Sequence, residues 1–262
     1  MTLLPQPANE PAPSAQVEST GAQADYVAWK DWRAEVFATF SPREGLYFSW
    51  HVTRALGTIG SALQVLEIGF GNGGFMGWAR QQGHAVCGVE ISQPLVAYAK
   101  SAGFAAFTST DALDPAARFD LVVAFDVLEH IPLHEITSLL SSLADRLAPG
   151  GRIVLRFPNT ESPFGQWYQN GDVTHITALG LSRLRQLAPH SGLRLFHSGE
   201  RLPWHLEPWP GRVQAGVYRL LRRLFERLLR KMYRLDRSLD FSTNQLVVLG
   251  RDRPGANRTR AP

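Results

Sequence analysis

The chain has 262 residues, 44% hydrophobic and 19% charged, which is material for one generous α/β domain with appendages. Its single cysteine, Cys87, excludes an internal disulfide framework, and no Cys-x-x-Cys pair offers a structural zinc site. No apolar run approaches the roughly 18 residues of a membrane span, and the net charge of +4 is concentrated in residues 212–235, where seven arginines and Lys231 face Glu226 alone.

Residues 1–22, rich in Pro, Ala, Ser and Gln, are expected to form a disordered tail, and so is 253–262, leaving one domain over 23–252. The start MTLLPQPANEPAPSAQ lacks the basic and apolar stretches of a secretory signal, so a cytoplasmic location is expected. Apolar residues at helical spacing (Tyr26, Trp29, Val36, Phe37, Phe40) predict a helix over 26–40, and a second around 46–56 leads into the first strand. Strands then follow at 64–68, 85–90, 105–108, 119–125 and 151–157, with helices at 73–82, 94–101 and 134–147 between them. This alternation implies βαβ units and a parallel sheet covered on both faces. An irregular stretch at 158–176 precedes a helix at 178–188 and a strand at 193–199. A basic helical insertion at about 205–240 and a last strand, NQLVVLG at 244–250, complete the pattern.

The junction of the first strand and its helix reads VLEIGFGNGG, residues 65–74, and satisfies the dinucleotide pattern G-x-G-x-x-G literally. Glycines there let the backbone turn sharply and approach a ligand closely, and free N–H groups at the helix start suit anionic groups. Glu67 lies just before the first glycine, where a pyrophosphate would be repelled by it. The run Val65 to Gly73 resembles the first motif of class I S-adenosylmethionine-dependent methyltransferases, hydrophobic-hydrophobic-(D/E)-x-G-x-G-x-G. FDLVVAFDVLEHI (119–131) and LAPGGRIVLRFPN (147–159) resemble the fourth- and fifth-strand motifs of small-molecule members, in the expected order. The resemblance implies a Rossmann-like, seven-stranded, mostly parallel sheet with an antiparallel C-terminal hairpin and helices on both faces. It also implies S-adenosyl-L-methionine as cofactor, with Glu67 near the methionine amino group beside Gly69, Phe70, Gly71 and Gly73. Glu90 would take the ribose hydroxyls, Ile91 would lie along the adenine, and Asp111 with Ala112 would sit near the adenine amino group, with Phe125 closing the fourth strand. Asp111 equally suits a helix N-cap.

Methyl transfer to a hydroxyl requires alignment, exclusion of water and removal of a proton. Ligands of open α/β sheets bind at the carboxyl ends of the strands, where two loops bring candidate groups. One carries Asp126, Glu129 and His130; the other, NTESPFGQWYQNGDVTHIT, carries Asn159, Trp167, Tyr168, Asp172 and His175. His175 or His130 is the expected base, with Asp172 or Glu129 as its partner. Some relatives bind a divalent metal through an acid-acid-His set at this strand end, which Asp126, Glu129 and His130 could supply, but no metal is assigned. GDVTHIT resembles a segment of glycan and lipopolysaccharide-cluster methyltransferases, which implies a sugar hydroxyl as acceptor. Trp167, Tyr168, Trp204 and Trp209 would then stack on a sugar ring, or else close the core beneath a long loop. Another small molecule (a quinone or lipid) or RNA remains open as acceptor, as do a nicotinamide-dependent oxidoreductase and a non-catalytic cofactor-binding protein.

Within 212–235, Val213, Val217, Leu220, Leu221, Leu224, Phe225, Leu228, Leu229 and Met232 recur at helical spacing, with arginines and Lys231 largely filling the other face. Such a helix packs its apolar side on the domain, meets a partner, or lies on an anionic membrane. The last of these would make the protein peripheral on the inner face of the cell membrane. Nucleic acid is disfavoured, since no RNA-binding module accompanies the patch.

Overall fold

A computed structural model describes residues 29–30, 32–57, 61–199, 211–236 and 239–251. Both tails and the segment holding Trp204 and Trp209 lie outside the described residues. Seven strands form one sheet in the order β3-β2-β1-β4-β5-β7-β6: β1 Gln64–Ile68, β2 Ala85–Val89, β3 Ala105–Phe107, β4 Phe119–Phe125, β5 Leu147–Pro158, β6 Arg194–Ser198 and β7 Asn244–Gly250. The first five pair in parallel, while β7 enters between β5 and β6 and runs antiparallel to both. The outer edge is therefore β6, and the final strand is interior. That accounts for the uninterrupted apolar run Leu246 to Leu249, all buried, as a strand covered on two faces requires.

The strands alternate their side chains between two helical layers. Leu66, Val122, Ile153 and Leu155 face Ile136, Leu140 and Leu143 of α4 (Leu133–Asp145). Val65, Leu121, Val123 and Val154 face Phe48 and Val52 of α1 (Pro42–Leu56) and Phe75 and Trp78 of α2 (Gly74–Gln81). Each such side chain, fully withdrawn from water, contributes about 1.5–3 kcal/mol. The other helices are α3 Gln93–Ser101, α5 Gln166–Asn170, α6 Leu181–Leu187 and α7 Gly211–Tyr233.

The segment before α1 departs from the expected helix. Between residues 32 and 41 only Ala34–Val36 form a 3-10 turn. Ser41 and Glu44 close a capping box, with Pro42 in the first turn, so a new helix must start there. Upstream the chain straps across the glycine loop: the Ala38 amide donates to the Asn72 carbonyl at 2.8 Å. Phe37 packs on Gly73 and Trp32 on Gly71. The helix expected over 178–188 is also shorter: it starts at Leu181, after Gly180, and Pro189 turns its end into a 3-10 segment, Ala188–Ser191.

Candidate functional site

Two adjoining cavities open at the carboxyl ends of β1, β2, β4 and β5. One, of about 910 Å³, is lined by Glu67, Phe70, Gly71, Phe125, Glu129 and His175 among others. The second, of about 580 Å³ and more apolar, is lined by Val89, Glu90, Ile91, Leu95 and Val127. Trp32, Gly69, Asp126 and His130 line both, so the two chambers form one continuous cleft.

Gly69 of the glycine loop lines both chambers, while Phe70, Gly71, Asn72 and Gly74 line only the larger. Gly69 has φ +66°, and a Cβ there would fall 2.4 Å from Val127 Cγ2, so neither the conformation nor the space admits a side chain. Glu67, near the end of β1, is buried, and its Oε2 has no hydrogen-bond partner among the described residues. Burial pushes its carboxyl well above the usual range; the Met76 amide lowers it in part, and the neighbouring Glu90 charge adds to the rise. Glu90 accepts from the Ser92 amide at 3.1 Å and the Gly71 amide at 3.2 Å, which ties the end of β2 to the loop. Burial raises its pKa as well. Ile91 is exposed beside it.

Asp111 and Ala112 are exposed on a 3-10 turn, Thr110–Ala112, whose lining of the second cavity comes from Thr108, Ser109 and Thr110. The Ser109 hydroxyl caps the turn by accepting from the Asp111 amide at 3.1 Å, so Ser109, not Asp111, is the capping side chain.

The base candidates converge in the larger cavity. His175 Nε2 lies 3.8 Å from Asp172 Oδ2 and 4.0 Å from Glu129 Oε1, and its ring centroid is 4.7 Å from that of His130. His175 Nδ1 is 3.0 Å from the Tyr168 carbonyl, which assigns the ring proton to Nδ1 and leaves the Nε2 lone pair facing the two acids. His130 Nδ1 is likewise held by Thr174, 3.2 Å from its carbonyl and 3.0 Å from its hydroxyl.

The two acids differ in environment. Glu129 is fully buried, neither of its oxygens is hydrogen-bonded among the described residues, and burial followed by the Asp126 charge raises its pKa to about 8. Burial alone would raise Asp172 too, but hydrogen bonds from the Thr174 hydroxyl and amide and the Lys30 ammonium at 3.3 Å hold it at about 2. At neutral pH the pair is therefore one neutral and one ionised acid.

Asp126 is not available to Glu129 and His130 as a third ligand. It takes a left-handed backbone, φ +56°, and its carboxylate grips Arg156 of β5 through a two-pronged ion pair. Glu129, His130 and His175 instead offer ligand atoms all within 4.8 Å of one another. Asn159 is structural: buried, its amide nitrogen donates to the Asp240 carbonyl at 2.9 Å. Sequence reasoning missed Lys30 and Arg156. The one signal for Arg156 is a cation inside the otherwise apolar run IVLRFP; Lys30 has none, because its pairing with Asp172 spans 142 residues of chain.

A model of the methyltransferase-domain family matches residues 28–198. No curated protein matches the sequence. Among solved structures, a S-adenosylmethionine-dependent methyltransferase from Archaeoglobus fulgidus is 20% identical with a TM-score of 0.55, covering 78% of this chain and 91% of its own. One from Mesorhizobium loti is 22% identical, TM-score 0.52, covering 78% and 98%. The CcbJ methyltransferase of Streptomyces caelestis is 17% identical, TM-score 0.53, covering 83% and 95%. These likenesses are of fold.

Proposed function

The chain belongs to the methyltransferase-domain family and uses S-adenosylmethionine as its cofactor, and on that premise we propose that it methylates a hydroxyl of a sugar, in a glycan or lipid-linked saccharide, with His175 as the proton acceptor. The residues present suit the cofactor. Glu67 Oε2 is a buried acceptor without a donor among the described residues, which the methionine ammonium would satisfy, and Gly69 carries no side chain between the loop backbone and a ligand. Glu90 and Ile91 in the apolar chamber suit the ribose hydroxyls and the adenine face. When bound, the cofactor supplies an activated methyl group with its own leaving group.

The observation that carries the reading is the His175 environment. An acceptor hydroxyl delivered to its Nε2 gives up its proton to an imidazole whose other nitrogen is fixed by Tyr168. The ionised Asp172 then balances the imidazolium, while Glu129, neutral, neither competes for the proton nor repels the acceptor oxygen. Arg156 holds Asp126 back from the cluster. Trp167 and Tyr168 are exposed on the cavity rim, 81% and 51%, and supply the flat apolar surface on which sugar rings stack. On this reading the enzyme works in the cytoplasm, on the inner face of the cell membrane.

The test is to incubate the protein with methyl-labelled cofactor and a cell-envelope extract, then to analyse the labelled product by mass. Label on a saccharide oxygen is expected; label confined to RNA, quinone or free lipid would overturn the acceptor assignment.

A further inference from the structure

The α7 helix presents the wrong face to its own protein. Among the described residues, its hydrogen bonds to the domain come from charged groups at four-residue spacing, with Leu229 half-buried beside them. Arg222 donates to Glu226 at 2.8 Å and to the Phe241 carbonyl at 2.9 Å, and Arg230 donates to the Leu239 carbonyl at 2.8 Å. Glu226, the helix's lone acid, is buried in that contact. Val217, Leu220, Leu221, Leu224, Leu228 and Met232 point away from it and are 51–64% exposed. A helix normally turns such a stripe to the core; here the stripe faces outward.

Helical spacing divides the surface of α7 into three arcs. The Arg222–Glu226–Arg230 arc anchors the helix, the apolar arc lies across from it, Arg223, Arg227 and Arg234 form an exposed border between them, and Lys231 stands at the edge of the apolar arc beside Leu224. The only acid of α7 is already engaged, so among the described residues nothing on its exposed arcs answers the cationic border. We propose that α7 is a lipid-docking helix that lies flat on an anionic membrane surface, with its apolar arc at the acyl boundary and the Arg/Lys border on headgroup phosphates. No helix among the described residues is long and apolar enough to cross a membrane, so this is contact from one side. A second copy of the helix is a poorer occupant, because it would bring a second cationic border to the same seam.

The docking also bears on the catalytic cleft. Phe241, which α7 grips, is tilted against Phe164, just before α5 with its Trp167 and Tyr168, with centroids 6.5 Å apart. Presentation of a lipid-linked acceptor there rests on the methyl-transfer reading; the lipid contact itself does not.

Flotation of the full chain with phosphatidylcholine–phosphatidylglycerol vesicles, against phosphatidylcholine alone, tests it. Binding to the anionic vesicles at low salt is expected, weakened by added salt. The double variants Leu224→Glu/Leu228→Glu and Arg223→Glu/Arg227→Glu should each lower it by at least about tenfold, while S-adenosylhomocysteine binding stays unchanged as proof of folding. Failure of the wild type to float with anionic vesicles while it binds S-adenosylhomocysteine overturns the proposal. So does a dimer that Leu224→Glu/Leu228→Glu dissociates without any lipid binding. Flotation with no methyl transfer to envelope saccharides would sink the acceptor reading and leave the lipid contact standing.

Discussion

The Nδ1 of His175 lies 3.0 Å from the carbonyl oxygen of Tyr168, so the backbone of one aromatic residue fixes the tautomer of the imidazole that faces two acids. The bond orients Nε2 before any acceptor arrives. His175→Gln keeps a polar group of similar reach and removes the base. Methyl transfer is expected to fall by about 10² to 10⁴ in kcat, with S-adenosylhomocysteine affinity unchanged. Activity within a few-fold of wild type would remove His175 from the proton path.

Glu67 should act on binding and not on the chemical step. Its buried Oε2 finds no donor among the described residues, and a ligand ammonium would supply one. A hydrogen bond to a charged group is worth about 1.5–3 kcal/mol, so Glu67→Gln should weaken S-adenosylhomocysteine binding by roughly 10- to 100-fold by calorimetry. Unchanged affinity in a folded variant would dismiss its assigned role.

The alternation of β1 to β5 with their helices was legible because fully buried strands read as short Val/Leu/Ile runs, such as LVVAF in β4, set off by glycine turns and periodic helices. The antiparallel pair of β6 and β7 matches the expected C-terminal hairpin, but that β7 is its inner strand was not legible, since either strand could lie beside β5 on the same apolar pattern. Amphipathic spacing identified which residues of α7 share an arc. It is silent on which arc meets the body, because that depends on the Phe241 and Leu239 carbonyls that Arg222 and Arg230 find. The strap of Trp32 and Phe37 over the glycine loop, and the pairs Lys30–Asp172 and Asp126–Arg156, join distant segments, and local periodicity carries no trace of them. Asp111 shows the converse: a motif position can fall where expected in sequence while its neighbours Thr108 to Thr110 line the cavity.

Glu129 predicts a pH dependence of stability. The folded chain holds its proton up to about pH 8, whereas an unfolded glutamate releases it near 4.5. Between those values the native state binds the extra proton. The contribution is therefore full below the lower value and is lost as pH rises through the upper one, at a slope of at most about 1.4 kcal/mol per pH unit. Glu67, also raised by burial, acts in the same direction. Urea unfolding of Glu129→Gln should show a shallower decline between pH 5 and pH 8 than wild type, conditions at which Asp172, held at about 2, stays ionised. An identical slope in the variant would mean that Glu129 is already ionised in the folded chain.

Removal of metal separates the two uses that the cluster permits. Glu129, His130 and His175 place one ligand atom each within 4.8 Å of the others, a nitrogen-rich set that suits a first-row divalent ion. Both rings are also held through Nδ1 by Thr174 and Tyr168, as metal-ligating imidazoles are. The proton-acceptor reading, however, needs the lone pair of His175 Nε2 free for the acceptor, and the same electrons cannot serve a cation at once. Dialysis against a chelator is therefore expected to leave methyl transfer unchanged, and added Mn²⁺ or Zn²⁺ should give no gain. Activity lost on dialysis and restored by one of those ions would make His175 a ligand. The role of base would then pass to a group outside this cluster, and the loss in His175→Gln would track metal content measured by elemental analysis.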